Sequence, residues 1–213
     1  MKISQPKFSR LSMPRNLTLI RHGENIDDFS IPNHTLPLSA KGIETIEMSR
    51  DFLFKKFGGI ATFYDMFLTS PYIRTRQTGQ ILSPETYWSI DGNLSERDWG
   101  EYGALAPELR NVQYPEVTAQ LKRDYYHTRP PSGESIIDVW ARQKKFLESI
   151  EDARDKRYLI STHGGFMKAF QLMVEGCANE GVIENGEIWI YENDDKTIIK
   201  PSPRITRSSP LQR

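Results

Sequence analysis

The chain has 213 residues, 38% of them hydrophobic and 26% charged, enough for one well-filled core and therefore one main domain. Its 28 basic and 28 acidic side chains cancel, which excludes a global field for nucleic acid or an anionic membrane and leaves any affinity for anions to be local. A single cysteine, Cys177, excludes an intramolecular disulfide and a cysteine-rich zinc site, fits a reducing compartment, and is read as a packing residue.

In chain order, residues 1–15 carry Lys2, Lys7, Arg10 and Arg15 without an acidic residue or an apolar signal core, so a flexible extension and a cytoplasmic location are expected. No apolar run approaches the roughly 18 residues of a membrane helix, so no membrane partner is expected. The main domain is assigned to residues 16–200. Leu17 to Ile20 is an apolar run read as a strand, broken by Arg21-His22-Gly23-Glu24. Ser39 is placed to cap a helix running to about Phe57, with Ile43, Ile46, Leu53 and Phe57 on one face and Gly58-Gly59 as its stop. Phe63 to Leu68 reads as a second strand, followed after Pro71 by a helix carrying Arg74 and Thr78, and Tyr87 to Ile90 as a short edge strand.

Pro115 to Tyr126 reads as helical. Ser135 with Asp138 three residues later is an acidic variant of the capping box, opening a helix whose buried stripe is Ile136, Val139, Trp140, Phe146, Leu147 and Ile150. Tyr158 to Ser161 is a further strand that breaks at His163-Gly164-Gly165, with a helix from Phe166 to Val174 behind it. Glu187 to Tyr191 and Thr197 to Lys200 pair as a terminal hairpin around Asn193-Asp194-Asp195. Residues 201–213, rich in Pro, Ser and Arg without periodicity, read as a flexible basic tail. Strands alternating with helices predict a mostly parallel sheet covered on both faces.

Two of the four histidines, His22 and His163, thus end apolar strands, at the edge of an α/β sheet where ligands bind, with glycine letting the backbone turn. Between them, Ser70-Pro71-Tyr72-Ile73-Arg74-Thr75-Arg76-Gln77-Thr78 sets Arg74 near a helix start, and Glu96-Arg97-Asp98-Trp99-Gly100 offers a carboxylate in a glycine-studded loop. In this order, the four elements resemble the histidine phosphatase superfamily, which includes phosphoglycerate mutases and many small phosphatases, over roughly Leu17 to Glu192. The resemblance implies a three-layer α/β/α sandwich of the phosphoglycerate mutase type. It also implies that His22 is the nucleophile, that Arg21, Arg74 and His163 hold the phosphoryl group, and that Glu96 donates the proton. Asn25, Arg97, Trp99 and Gly164 are expected to contact substrate.

The chemistry asks for these residue types on its own account. Phosphoryl transfer is promoted by positioning and by stabilising charge on the equatorial oxygens, a task suited to planar, permanently charged guanidiniums. An imidazole attacks phosphorus only through a neutral nitrogen, which calls for no metal, and no cofactor is expected. Anionic oxygens beside His163 are expected to favour its charged form. A protonated Glu96 would serve the leaving alkoxide, its pKa raised by burial beside Trp99 and lowered by Arg97 if that side chain points inward.

The chain departs from the mutase pattern in two places. Mutases of the superfamily place an asparagine six residues after the nucleophile, where this chain has Asp28, so either Asn25 takes over that contact or Asp28 turns away. The stretch from Glu96 to Pro130-Pro131-Ser132-Gly133-Glu134-Ser135 is shorter than in the glycolytic mutases, which favours hydrolysis over transfer. The expected activity is a metal-independent phosphomonoesterase acting through phosphohistidine on a small phosphorylated metabolite. The alternatives are mutase-type phosphoryl transfer and a catalytically silent phosphate-ligand-binding module. A homodimer is the candidate assembly.

Overall fold

The computed structural model describes residues 14, 16–28, 30–176, 181–192 and 195–200. The expected tail, Cys177 and all of the expected leader except Pro14 lie outside them. Six strands form one sheet in the order β3-β2-β4-β1-β5-β6. They are β1 (Asn16–Arg21), β2 (Met66–Thr69), β3 (Ser89–Ile90), β4 (Arg157–Thr162), β5 (Ile188–Glu192) and β6 (Asp195–Ile199). The first four run parallel, while β5 pairs antiparallel with β1 and with β6. The terminal hairpin forms with shifted bounds: β5 is Ile188–Glu192 rather than Glu187 to Tyr191, and β6 is Asp195–Ile199 rather than Thr197 to Lys200.

The described residues form eight α-helical segments: α1 (Ala40–Phe57), α2 (Ile60–Phe63), α3 (Ile73–Leu82), α4 (Gly100–Gly103), α5 (Pro107–Gln113), α6 (Pro115–Arg123), α7 (Ile136–Ser149) and α8 (Gly164–Glu175). The pleat of β1 sorts its side chains between two layers. Leu17 and Leu19 join Tyr158, Ile160, Phe146 of α7 and Phe166 and Phe170 of α8 on one face. Ile20 joins Leu159, Ile46 and Leu53 of α1 and Leu82 of α3 on the other. The result is the mostly parallel sheet covered on both faces expected from the alternation of elements, and the three-layer α/β/α sandwich that the resemblance implied.

Local signals placed the longer helices well. The Ser39 hydroxyl accepts from Gly42 N, and α1 stops at Gly58, whose φ of 73° suits glycine and whose N–H reaches Phe54 O at 2.8 Å. Ser135 and Asp138 form the reciprocal capping box at the start of α7, an arrangement worth about 1 kcal/mol.

Four expectations are corrected. Phe63 is helical rather than the start of a strand, because Ile60–Phe63 makes one turn that stacks the Phe63 ring on Phe57, with centroids 3.9 Å apart. Ile43 is 41% exposed, off the buried stripe of α1. The helix from Pro115 ends at Arg123, and Asp124 leaves the helical conformation with φ −145° and ψ 80°. On α7, Gln143 is fully buried beside Phe146, its amide donating to Phe166 O at 2.5 Å, so the stripe contains a polar position that hydropathy passes over. The short α4 and α5 were not anticipated at all.

Among the described residues, no helix is long and apolar enough to cross a membrane.

Candidate active site

β1 and β4 lie side by side at the centre of the sheet, yet the chain leaves β1 toward β2 and leaves β4 toward β5, on opposite sides. Such a switch point opens a crevice at the strands' carboxyl ends, and His22 and His163 both emerge there. His22 N donates to Thr162 O at 3.0 Å, extending the ladder one residue past β1. Gly23 has no positive φ, so its role is not the permissive turn the sequence suggested. A Cβ on Gly23 would lie 2.4 Å from Gly42 O, and one on Gly42 would lie 2.0 Å from Glu24 O. The two glycines let the first turn of α1 press backbone to backbone against the residue after His22.

His22 is buried, and its Nδ1 lies 2.6 Å from Gly23 O. A carbonyl can only accept, so Nδ1 carries the proton and Nε2 keeps its lone pair. That lone pair accepts from Arg74 Nε at 3.1 Å. Burial first, then Arg74 and Arg21, hold the His22 pKa well below the usual histidine range, so the ring is neutral at physiological pH.

Arg74 extends from the first turn of α3 and is itself buried. Its Nη1 donates to Asn33 O at 2.6 Å and to Asn33 Oδ1 at 3.2 Å, and its guanidinium lies 4.7 Å over the Tyr72 ring. Arg21, last in β1, donates through Nη1 to Ile183 O, while its Nε is buried without a partner.

His163 sits at the N-terminus of α8, fully buried, its ring centroid 5.0 Å from that of His22. Its Nε2 is 2.8 Å from Ser70 Oγ, and its Nδ1 is buried without a partner. The pKa of His163 is pushed well down, not up, chiefly by burial and then by His22, Arg74, Arg142 and Arg21. The expected upward push depends on anionic oxygens, and the side chains that face the ring are cations and neutral groups.

Glu96 follows the 3-10 turn Gly92–Leu94 and accepts from Arg97 N at 2.7 Å. A Cβ on Gly165 would lie 2.1 Å from Glu96 Oε1, so it is the second glycine of the His-Gly-Gly string that leaves room for this carboxylate. Gly164 instead packs beneath Arg21, where a Cβ would be 3.4 Å from Nε. The Glu96 backbone is held by Arg142 of α7, which donates to Asn93 O at 2.5 Å, Ser95 O at 2.7 Å and Glu96 O at 2.9 Å, and to Glu134 Oε1 at 3.1 Å. Sequence reasoning missed Arg142. Its one local signal is an arginine bordering the buried stripe of α7, a turn before Phe146.

Arg97, assigned to substrate, is 1% exposed. It donates to Glu134 O and Thr128 O, both at 2.7 Å, and stacks on the rings of Trp99 and Tyr125 at 4.2 and 5.0 Å. It braces the loop instead of pointing at Glu96. Trp99 and Asn25 reach the wall of the adjacent cleft, the Asn25 amide donating to Ile26 O at 2.7 Å. Asp28 turns away: its Oδ1 accepts from Ser30 N at 2.8 Å and Ser30 Oγ at 2.6 Å. Glu24 also faces elsewhere, accepting from Ser39 Oγ and Lys41 Nζ at the start of α1.

The cleft measures about 950 Å³ and runs between the Asn25–Leu36 segment and the Glu96–Ala104 loop. Tyr72 and Glu96 form part of its wall, whereas His22 and His163 are buried behind Tyr72 and Arg74. No cluster among the described residues has the composition of a metal site.

The fold and this constellation define an α/β/α sandwich with a paired-histidine, paired-arginine pocket at its central strand ends. Over residues 17–197 the sequence matches the histidine phosphatase superfamily (branch 1), and the chain belongs to that family. Among curated relatives, the 2,3-bisphosphoglycerate-dependent phosphoglycerate mutase of Bartonella quintana (strain Toulouse) is 30% identical over 203 residues, covering 87% of this chain and 96% of its own length. Similar solved structures include the alpha-ribazole phosphatase from Shigella flexneri, at TM-score 0.70 and 20% identity over 88% of this chain and 96% of that one. A mycobacterial glucosyl-3-phosphoglycerate phosphatase matches at TM-score 0.70 and 18% identity, over 83% of this chain and 89% of that one. These likenesses establish the fold.

Proposed function

We propose that the chain is a metal-independent phosphomonoesterase that transfers the phosphoryl group of a small metabolite to His22 and then to water. The observation that carries this reading is the fixed tautomer of His22. Its Nδ1–H is tied to Gly23 O and its Nε2 is neutral, while Arg21 and His163, whose ring centroid is 5.0 Å from that of His22, each keep a buried polar atom without a partner, Arg21 Nε and His163 Nδ1. Buried polar atoms left unpaired are costly, and an anion with several acceptor oxygens satisfies both.

In the first step His22 Nε2 attacks phosphorus and the bond to the ester oxygen breaks. Arg74 Nε–H moves from the nitrogen to an equatorial oxygen, and Arg21 and His163 stabilise the remaining charge. Protonated Glu96 gives its proton to the leaving alkoxide, and Gly23 O steadies the ring as it becomes cationic. In the second step water attacks phosphorus, Glu96 takes the water's proton, the nitrogen–phosphorus bond breaks, and phosphate leaves.

The test is rapid labelling with a radioactive phosphate ester. An acid-labile, base-stable phosphoryl group is expected on the wild type and none on His22→Ala; a labelled His22→Ala protein would overturn the assignment. Glu96→Gln is expected to slow alkyl phosphates while sparing phosphoenzyme formation from p-nitrophenyl phosphate, whose leaving group needs no proton. The similarity to mutases favours phosphoryl transfer as the second reading, and release of inorganic phosphate measured against phosphoglycerate interconversion separates the two.

A further inference from the structure

The cleft in front of the paired histidines has three arginines in its wall, and each is bonded to the protein's own backbone carbonyls. Arg142 is held by three backbone carbonyls and by the Glu134 carboxylate. Arg97 is held by two carbonyls, and its Nη1 is out of reach of solvent. Arg110 donates to Leu105 O at 3.0 Å and lies 5.5 Å over the Tyr102 ring.

Against these three guanidiniums stand, besides the proton donor Glu96, four carboxylates in the same wall: Asp27, Asp28, Asp98 and Glu134. Glu134 is matched by Arg142. Asp28, tied into its own loop by Ser30, and Asp98, bonded to Gly100 N, both line the cleft and accept only neutral donors, so no cation offsets their charge there. Lys168 is not part of the wall, and its ammonium lies 5.4 Å over the Tyr125 ring. The two arginines at the histidines, Arg21 and Arg74, match the two charges of one phosphate monoester dianion and leave none for a second anion.

Resting on the phosphomonoesterase reading, we infer that this site takes monophosphate esters whose alcohol part is uncharged or cationic, and discriminates against esters bearing a second carboxylate or phosphate. A like charge facing unscreened carboxylates is repelled, and the neighbouring guanidiniums, already bonded to backbone carbonyls, are not free to turn and receive it. The size of the cleft, within the range of small-molecule sites, admits an alcohol part larger than a triose.

The test compares two probes of like size and leaving group, glycerol 3-phosphate and 3-phosphoglycerate, which differ in a hydroxymethyl against a carboxylate. Equilibrium binding to His22→Ala protein is measured together with wild-type kcat/KM. Glycerol 3-phosphate is expected to be preferred by about tenfold or more in both. The preference should shrink as added salt shortens the screening length. The paired substitution of Asp27→Asn with Asp28→Asn should narrow the ratio of glycerol 3-phosphate to 3-phosphoglycerate several-fold. Equal or tighter binding of 3-phosphoglycerate overturns the inference. Retention of the binding preference without turnover of either ester would sink the phosphatase reading and leave the charge selectivity standing, whereas binding of neither ester overturns both.

Discussion

The ends of β1 and β4 carry nearly the same local sequence, an apolar strand broken by histidine and glycine, yet they build different chemistry. At β1, the histidine turns its Nδ1 onto the next residue's carbonyl, so the backbone itself dictates the tautomer and presents Nε2. At β4, the ring is held through Nε2 by Ser70 Oγ, a hydroxyl that can donate or accept, and Nδ1 is left free. The first arrangement suits a nucleophile, which needs one defined lone pair. The second suits a donor to phosphate, which must follow charge as it develops. The glycines differ too: Gly23 admits the backbone of α1, while Gly165 admits the carboxylate of Glu96.

The contrast is most sharply tested at His22. His22→Ala should lower kcat/KM by about 10⁴-fold or more, the scale on which a lost nucleophile registers, whereas His163→Ala should cost about 10² to 10³, as for one lost transition-state donor. Similar losses at both positions in steady-state assays would erase the distinction.

Gly165→Ala asks whether the β4 glycine acts through Glu96. With 2.1 Å available, the methyl must displace the carboxylate, and alkyl phosphates should slow by about 10² to 10⁴, the contribution of a general acid. Phosphoenzyme formation from p-nitrophenyl phosphate should change far less. Equal slowing of both substrates in single-turnover measurements would locate the damage elsewhere in the strand end.

Smaller effects are expected at the hydrogen bond that holds His163. Ser70→Ala removes the partner of a buried ring nitrogen, a loss of about 1–3 kcal/mol, and should lower kcat/KM about tenfold while leaving the His22 tautomer intact by ¹⁵N NMR. Loss of the His22 Nδ1–H signal in that variant would show that the two histidines are not held independently.

Both histidines have pKa values depressed by burial, so unfolding exposes groups that bind protons more readily. Their contribution to stability is fully present above the unfolded value near 6.5 and is lost as pH falls toward their folded values. The Tm should therefore drop between pH 7.5 and 5, and His163→Gln should show the shallower drop in calorimetry. Parallel curves for the two proteins would exclude His163 as a source of the acid loss.

Much of this was legible from sequence wherever the cause is local. Hydropathy marks β1 and β4 because buried central strands have to be apolar on both faces. Ser39, Gly58 and the Ser135–Asp138 pair mark helix ends because capping is decided within four residues. The succession of histidine, arginine, glutamate and histidine motifs identified the family and nominated the side chains that meet at the switch point.

What the sequence could not decide is set by contacts between distant segments. Arg97 and Arg142 are both arginines near Glu96 in space, and only packing shows that each is bonded to backbone carbonyls. Asp28 looks like a charge set against phosphate until Ser30 is seen to turn it into its own loop. Gly42, in the first turn of α1, owes its place to Glu24 O, which presses against it from outside the helix. Residue type and local spacing determined which chemistry the chain carries. Direction, burial and hydrogen-bond partner follow from the tertiary fold, because they depend on which backbone groups distant elements bring within reach.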